Sequence, residues 1–82
     1  ESRFTSYLIE TKDLGVIEIE VHQDLVGKAV EQINVSGEFI VVAIRNLRGV
    51  LIPNPQTIVK DKDILMGVVK VSSLDKIKEL FG

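Results

Sequence analysis

The stretch from Phe39 to Ile44, FIVVAI, decides the fold. It has the length of a β-strand and contains no polar residue, so we expect both of its faces to be buried. In a chain of 82 residues, one face is expected to pack on the domain's own helices. The other face needs a second surface, most simply a second subunit. The run therefore predicts a homodimer, with the expected interface residues Phe39, Val41, Ala43 and Leu51.

The residues that follow this strand predict further strands joined by short loops. Arg45–Gly49 contains the Asn and Gly of a hairpin loop, and Val50–Ile52 is a short strand ended by Pro53. A further short strand is expected at Thr57–Val59, followed by a polar turn. The last long strand is expected at Ile64–Val71.

One more long strand and two helices are expected in the rest of the chain. Val16–Val21 alternates apolar and acidic residues, which predicts a half-buried strand. A helix is expected from Asp24, whose side chain caps it, to Ile33, because apolar residues recur there at three- and four-residue spacing. A final helix is expected after Ser73 as its N-cap.

These elements follow one another in the order β-α-β-β-β-α. Short connections between the later strands favour hairpins, so we expect an α+β fold. It consists of a small mixed, mostly antiparallel sheet with two helices on one face. This domain is expected to span residues 15–82. Residues 1–14 are expected to form a linker or an extra edge strand, the strand lying at Phe4–Ile9.

The composition excludes several classes of function. A net charge of −2 and a pI near 5.3 give no basic surplus for binding a nucleic-acid backbone. The absence of cysteine and the single histidine exclude disulfides, thiolate chemistry and a multi-histidine metal site. No apolar run approaches the roughly 20 residues of a membrane span, so we expect no membrane insertion and a cytoplasmic location. No serine or threonine has a base partner beyond His22, and we expect no enzyme.

Paired carboxylates and the lone histidine are the remaining candidates for chemistry. Glu18 with Glu20, and Asp61 with Asp63, can in principle hold a divalent cation or transfer protons. No third ligand is expected near either pair, so we interpret both as solvated surface. His22 can sense pH, but it is expected to be an exposed loop side chain.

Short motifs in a fixed order and spacing resemble those of one known family. They are IEIEV at Ile17–Val21, LVGK at Leu25–Lys28, VVAIR at Val41–Arg45, Ile52–Pro53 with Thr57, Asp63–Leu65 with Gly67, and the closing helix at Leu74–Phe81. From about Val16 to Phe81, the chain is similar to the TrkA-C domain, also called the RCK C-terminal domain. Lys62 departs from the pattern, because it stands where the family commonly has glycine.

The resemblance implies a non-catalytic regulatory domain of a potassium or other ion transport system. TrkA-C domains sit behind a nucleotide-binding Rossmann lobe in regulators of channels and transporters, which places them near the inner face of the membrane through a pore or transporter partner. They dimerise, and some bind a small ligand near the dimer interface. In some members this ligand is cyclic di-AMP. No other cofactor and no metal are implied.

We expect such a ligand at the surface formed by Ala43, Arg45, Asn46, Ile52 and Pro53. The guanidinium of Arg45 can pair with a phosphate or a carboxylate. Ile52 and Pro53 can offer a flat apolar surface to a purine, and Asn46 can form a hydrogen bond. Each residue also has a local explanation: Arg45 can pair with a nearby carboxylate, Pro53 can end a strand, and Asn46 can shape the hairpin loop.

Two other functions remain open at this point. The first is a purely structural dimerisation module without a ligand, which would tolerate Arg45→Ala without loss of regulation. The second is a different regulatory fold, such as an amino-acid-binding ACT-like domain. An ACT-like domain has the order βαββαβ, and it requires a helix between the strands at Val50 and Ile64.

Overall fold

The computed structural model describes residues 4–8 and 12–81. The strands are β1 (Phe4–Leu8), β2 (Leu14–Glu20), β3 (Phe39–Asn46), β4 (Gly49–Leu51) and β5 (Ile64–Lys70), and the helices are α1 (Val30–Ile33) and α2 (Leu74–Phe81). Short 3-10 turns lie at Gln23–Leu25 and Val71–Ser73. From β2 onward, this is the predicted order β-α-β-β-β-α.

The strands form one sheet in the order β1-β2-β5-β3-β4. Every ladder between the described strands is antiparallel, so no parallel pair of a mixed sheet is seen in this part of the chain. β5 is the central strand, with Ile17 of β2 and Val41 of β3 both opposite Gly67. β1 lies at one edge beside β2, running from Phe4 opposite Ile19 to Leu8 opposite Gly15.

The hydrophobic core lies on one face of the sheet, and both helices pack on that face. Ile17 and Leu65 from the sheet, Ile33 from α1 and Ile77 from α2 are each at most 1% exposed. Burial of such aliphatic side chains is the main favourable term in folding. The predicted α+β fold with two helices on one face is therefore confirmed.

A close approach at the centre of the sheet requires glycine at position 67. The ring of Phe39 lies against Gly67, and a Cβ there would meet that ring and would lie 2.9 Å from the carbonyl oxygen of Ile40. The same ring has its centroid 5.7 Å from the ring centroid of Phe81. Gly67 thus lets an aromatic pair anchor the end of α2 on the sheet.

The first helix is shorter than predicted, and Asp24 does not cap it. Only Val30–Ile33 is α-helical. The chain leaves the helical path at Gly27, which has a φ of +92° and whose N–H donates to the carbonyl of Val59 at 2.8 Å. The backbone N–H of Asp24 instead donates to Nδ1 of His22 at 3.2 Å, so His22 caps the 3-10 turn. A long-range backbone bond has overridden the local helical pattern.

The predicted strand at Thr57–Val59 does not form. The backbone of this segment bonds to Lys28 and to the first residue of α1: Val59 N–H donates to the carbonyl of Lys28, and the carbonyl of Thr57 accepts from Val30 N–H, both at 2.9 Å. The backbone N–H and carbonyl groups of this segment therefore bond to the start of α1 and not to a strand of the main sheet. The segment forms a loop docked against the start of α1.

Strand β3 is covered on only one face by its own chain, whereas both faces were expected to be buried. A β-bulge lies between Val41 and Ala43, so Val42 is an extra residue in the ladder with β5. Val41 faces the core before the bulge, and Ile44, 1% exposed, faces the core after it. On the opposite face, Ile40 is 52% exposed.

Candidate functional site

The sheet face opposite the helices, here called the outer face, is apolar and open. Its residues are Leu14, Val16, Glu18 and Glu20 on β2, Ile40, Ala43 and Arg45 on β3, Val50 on β4, and Ile64, Met66, Val68 and Lys70 on β5. Neither α1 nor α2 packs on it, because both contribute to the core on the other side. An exposed apolar surface with polar residues at its rim is typical of an interaction site. The outer face is therefore a candidate functional surface.

An ion pair crosses the outer face. Nη2 of Arg45 lies 3.1 Å from Oε1 of Glu18, and it spans the central strand, because β2 and β3 flank β5. Glu18, expected to be solvated, is only 17% exposed, whereas the side chain of Arg45 is 48% exposed. A guanidinium has five N–H donors, so the pair with Glu18 positions Arg45 and leaves donors for a second anion.

The structure divides the predicted ligand residues between two surfaces. Ala43 and Arg45 lie on the outer face, while Asn46 lines the opposite side of the hairpin. Ile52 follows β4 directly and is 79% exposed. The β3–β4 ladder ends at Leu51, so Ile52 and half-buried Pro53 lie just beyond it. The outer face therefore holds two of the five predicted residues, Ala43 and Arg45.

Asn46 has a structural partner that the sequence did not reveal. Its Nδ2 donates to Oδ1 of Asp63 at 2.9 Å, and its Oδ1 accepts from the N–H of Arg48 at 2.9 Å. Asp63, expected to be a solvated carboxylate, is 4% exposed. Its Oδ2 also accepts from the N–H of Lys60 at 2.9 Å. Asn46 thus shapes the hairpin loop through Arg48 and also ties the hairpin to the turn before β5.

The predicted dimer residues also fall on different surfaces. Phe39 and Val41 are 3% and 4% exposed and belong to the core. Ala43 is 9% exposed on the outer face, and Leu51 is 43% exposed on the inner side of the hairpin. Contact of any of them with a second subunit stays a prediction. The large exposed side chain that β3 offers on the outer face is Ile40.

A second concave surface, here called the hairpin groove, was missed by the sequence reasoning. It lies between the β3–β4 hairpin and residues 57–63, with a volume of about 640 Å³. Leu47 and Leu51 line one wall, and Ile58 and Lys60 line the other. The groove exists because residues 57–63 dock on the start of α1. No local pattern in the sequence indicates that docking.

The charge network around Glu38 ties the second helix to the sheet. Ser73, predicted to cap α2, instead donates from Oγ to Oε1 of Glu38 at 2.8 Å, and Nζ of Lys76 lies 2.8 Å from Oε2. These hydrogen bonds, from Lys76 first and then Ser73, lower the pKa of Glu38 below its usual value. The network stabilises the docking of α2 and carries no catalytic arrangement.

The described residues contain no cluster of three or more His, Cys, Asp or Glu side chains that could hold a metal ion. None of the helices in the same residues is long and apolar enough to cross a membrane. On the two surfaces, Glu18 pairs with Arg45, and Asp63 accepts from Asn46.

Comparison with known proteins gives one family match, to the TrkA-C domain, over residues 15–82. The chain belongs to the TrkA-C family. TrkA-C domains are regulatory, non-catalytic domains of potassium transport systems. The chain's fold is similar to a solved structure described as the GsuK RCK domain, with a TM-score of 0.78 and 17% sequence identity over 96% of the chain. The chain spans 18% of that structure's length, and no curated protein matches it.

Membership of the TrkA-C family makes the departure at Lys62 informative. Lys62 has a φ of +72°, in the left-handed region that glycine adopts without cost. The turn therefore keeps the backbone conformation suited to glycine, although the residue is a lysine. This lysine lines the hairpin groove.

The topology of this TrkA-C domain differs from that of an ACT-like domain. An ACT-like domain would have a helix between β4 and β5, and the structure describes every residue of that connection without one. Instead, residues 52–63 form turns and an isolated bridge. The ACT-like alternative is therefore not supported.

Proposed function

We propose that this TrkA-C domain is a regulatory module of a potassium transport system that dimerises through its outer face and senses a small anionic ligand beside Arg45. The observation that carries the proposal is the open apolar outer face with one positioned guanidinium. Neither helix packs on this face, and Ile40, near the start of β3, is 52% exposed. A second copy of the domain is its simplest cover.

The ligand is proposed to bind where the outer face meets β4. The guanidinium of Arg45, oriented by Glu18, can accept a phosphate or carboxylate. Exposed Ile52 and neighbouring Pro53 can supply the apolar surface for a base. A small nucleotide such as cyclic di-AMP combines phosphates and purines in the required way. Such a ligand favours one dimer geometry over another and so biases an attached assembly.

The wider setting is proposed from family membership. A nucleotide-binding Rossmann lobe and a membrane pore or transporter subunit are the proposed partners of the domain. That arrangement places the domain in the cytoplasm, peripheral to the membrane through its partner. Its contribution to regulation is the linkage between ligand binding and dimer geometry.

Light scattering across a concentration series tests dimerisation. The expected mass is twice the 9.1 kDa of one chain. Ile40→Glu should shift the protein to a monomer, because it places a charge at an exposed apolar position of the outer face. Leu80→Glu is the matched control, since Leu80 is also 52% exposed but lies on α2. A wild-type monomer at high micromolar concentration would refute the dimer.

Calorimetric titration with cyclic di-AMP tests ligand sensing separately. Arg45→Ala should weaken binding by about tenfold or more, because a charge-assisted bidentate contact contributes roughly 1.5–3 kcal/mol. Arg45→Lys keeps the charge and should retain part of the affinity. A stable dimer without a response to the nucleotide would instead support the structural module without a ligand.

A further inference from the structure

The hairpin groove has the dimensions and lining of a small-molecule site. Its volume of about 640 Å³ lies within the range of roughly 300–1,000 Å³ that ligand pockets occupy. Leu47, Leu51 and Ile58 line it, and each is at least 43% exposed. Three large apolar side chains that face water in one concave surface favour a ligand with an apolar body.

The charges of the hairpin groove favour an anionic head group on that ligand. Arg48, Lys60 and Lys62 line the groove, and the described residues form no ion pair with any of them. Both carboxylates in the lining already accept hydrogen bonds from the protein. Asp61 accepts from the glutamine of the first 3-10 turn at 3.3 Å, and Asp63 accepts from Asn46. The lining therefore carries three cations against two carboxylates, and its net charge is +1.

Lys62 adds a feature specific to this chain. Its φ of +72° is unfavourable for any side chain with a Cβ, yet a lysine stands there. The strained backbone places a cation in the lining of the groove. Strain kept at a polar, concave surface is consistent with a binding role for the residue.

We propose that the hairpin groove binds a small amphipathic anion, with its apolar body against Leu51 and Ile58 and its carboxylate, sulfonate or phosphate beside Lys60 and Lys62. This site is distinct from the nucleotide site proposed above, because Arg45 lies on the other face of β3 and does not line the groove. The bond between Asn46 and Asp63 fixes the two walls relative to each other, so the groove is preformed.

Fluorescence titration with 8-anilinonaphthalene-1-sulfonate tests the site, with neutral N-phenyl-1-naphthylamine as the matched probe that lacks the sulfonate. Lys62→Gln should weaken sulfonate binding about threefold, and the double variant with Lys60→Gln about tenfold, as expected for exposed charge pairs. Binding of the neutral probe should stay unchanged in both variants. Added salt should weaken the binding of the anionic probe and leave the binding of the neutral probe unchanged. Competition by decanoate and by decyl phosphate distinguishes a carboxylate from a phosphate head group.

Two glycine variants separate the charge of Lys62 from its backbone strain. Lys62→Gly removes both the charge and the strain, and it should lower the affinity for the sulfonate probe as much as Lys62→Gln does. Lys12→Gly is the matched control, because Lys12 also has a positive φ, 65°, but does not line the groove. Ile40→Glu removes the outer face as a second apolar surface for either probe, and Arg45→Ala removes the proposed nucleotide contact.

Sulfonate affinity that is unchanged in Lys62→Gln, or equally reduced in Lys12→Gly, would overturn the groove proposal. A sulfonate site lost in Ile40→Glu but kept in the lysine variants would also overturn it, by placing the probe on the outer face. An intact groove response in Arg45→Ala supports a separate site. If cyclic di-AMP fails to bind while the groove responds as expected, only the proposed nucleotide function fails.

Discussion

An exchange of the two side chains in the Asn46–Asp63 bond gives the sharpest test of how the hairpin is held. In Asp63→Asn, two amide groups face each other and one hydrogen bond is lost. In Asn46→Asp, two carboxylates face each other in a site where Asp63 is 4% exposed. The double variant restores complementarity, because a carboxylate at 46 can accept from the N–H of Arg48 and from the new amide at 63.

The magnitudes follow from the bonds that each variant removes. Asp63→Asn should cost about 1–2 kcal/mol, because it removes one hydrogen bond to a buried carboxylate and the remaining oxygen can still accept from Lys60 N–H. Asn46→Asp should cost about 3 kcal/mol, because it adds like-charge repulsion to that loss. The double variant should lie within about 0.5 kcal/mol of wild type. The single losses sum to about 4–5 kcal/mol, so the coupling energy is about 4–5 kcal/mol in favour of the exchanged pair.

Thermal unfolding followed by circular dichroism measures these changes at one fixed protein concentration, since any dimer makes the midpoint depend on concentration. One kcal/mol corresponds to roughly 4–8 °C for a domain of this size. Asn46→Asp should therefore lower Tm by more than about 10 °C, and the exchange should restore it. Additive losses in the double variant, with no rescue, would refute the assignment of this bond as the tie between hairpin and turn.

Three further predictions follow from features of the fold. Gly67→Ala should destabilise the domain by about 1–3 kcal/mol in urea unfolding, because its methyl group would displace the Phe39 ring; a loss below about 0.5 kcal/mol would contradict the close contact. Lys62→Gly and Lys12→Gly should each raise stability by up to about 1 kcal/mol, because relief of the left-handed strain exceeds the added freedom of the unfolded chain; a loss in both would contradict the strain. Because the pKa of Glu38 is lowered in the folded state, Glu38 adds to the free energy of unfolding at pH values above 4.5, and this stability is lost as the pH falls through the folded-state pKa. Glu38→Gln should therefore flatten the fall of Tm with decreasing pH in acid. An unchanged slope of Tm against pH would contradict the role of Glu38.

The elements predicted correctly are those whose pattern has one dominant explanation. The alternation at Val16–Val21 has period 2, and β2 buries its Ile17 and Ile19 in the core. The stripe after Ser73 forms α2 as expected. The short helix was overestimated because its apolar spacing fits a helix through Gly27, and only the bond to distant Val59 shows where the helix is interrupted.

The missed features depend on contacts between residues far apart in the chain. Arg45 was predicted as a functional cation, but its partner Glu18 lies 27 positions away. Asn46 and Asp63 are 17 positions apart, so the burial of that carboxylate has no local signal. The bulge at Val42 also has no signal in the sequence. Every residue around it is apolar, so the pattern does not show which residues face the core and which face outward.

The extra residue at Val42 has a mechanical consequence for the hairpin. Beyond the bulge, Arg45 points to the outer face and Asn46 to the groove, so adjacent residues of one strand reach both candidate surfaces. A twist of the β3–β4 hairpin about its own axis would move the guanidinium and the wall of the groove together. Binding of a ligand at one surface would then alter the shape of the other surface through movement of the β3–β4 hairpin. The strength of that transmission depends on how firmly Asp63 holds the hairpin against the turn.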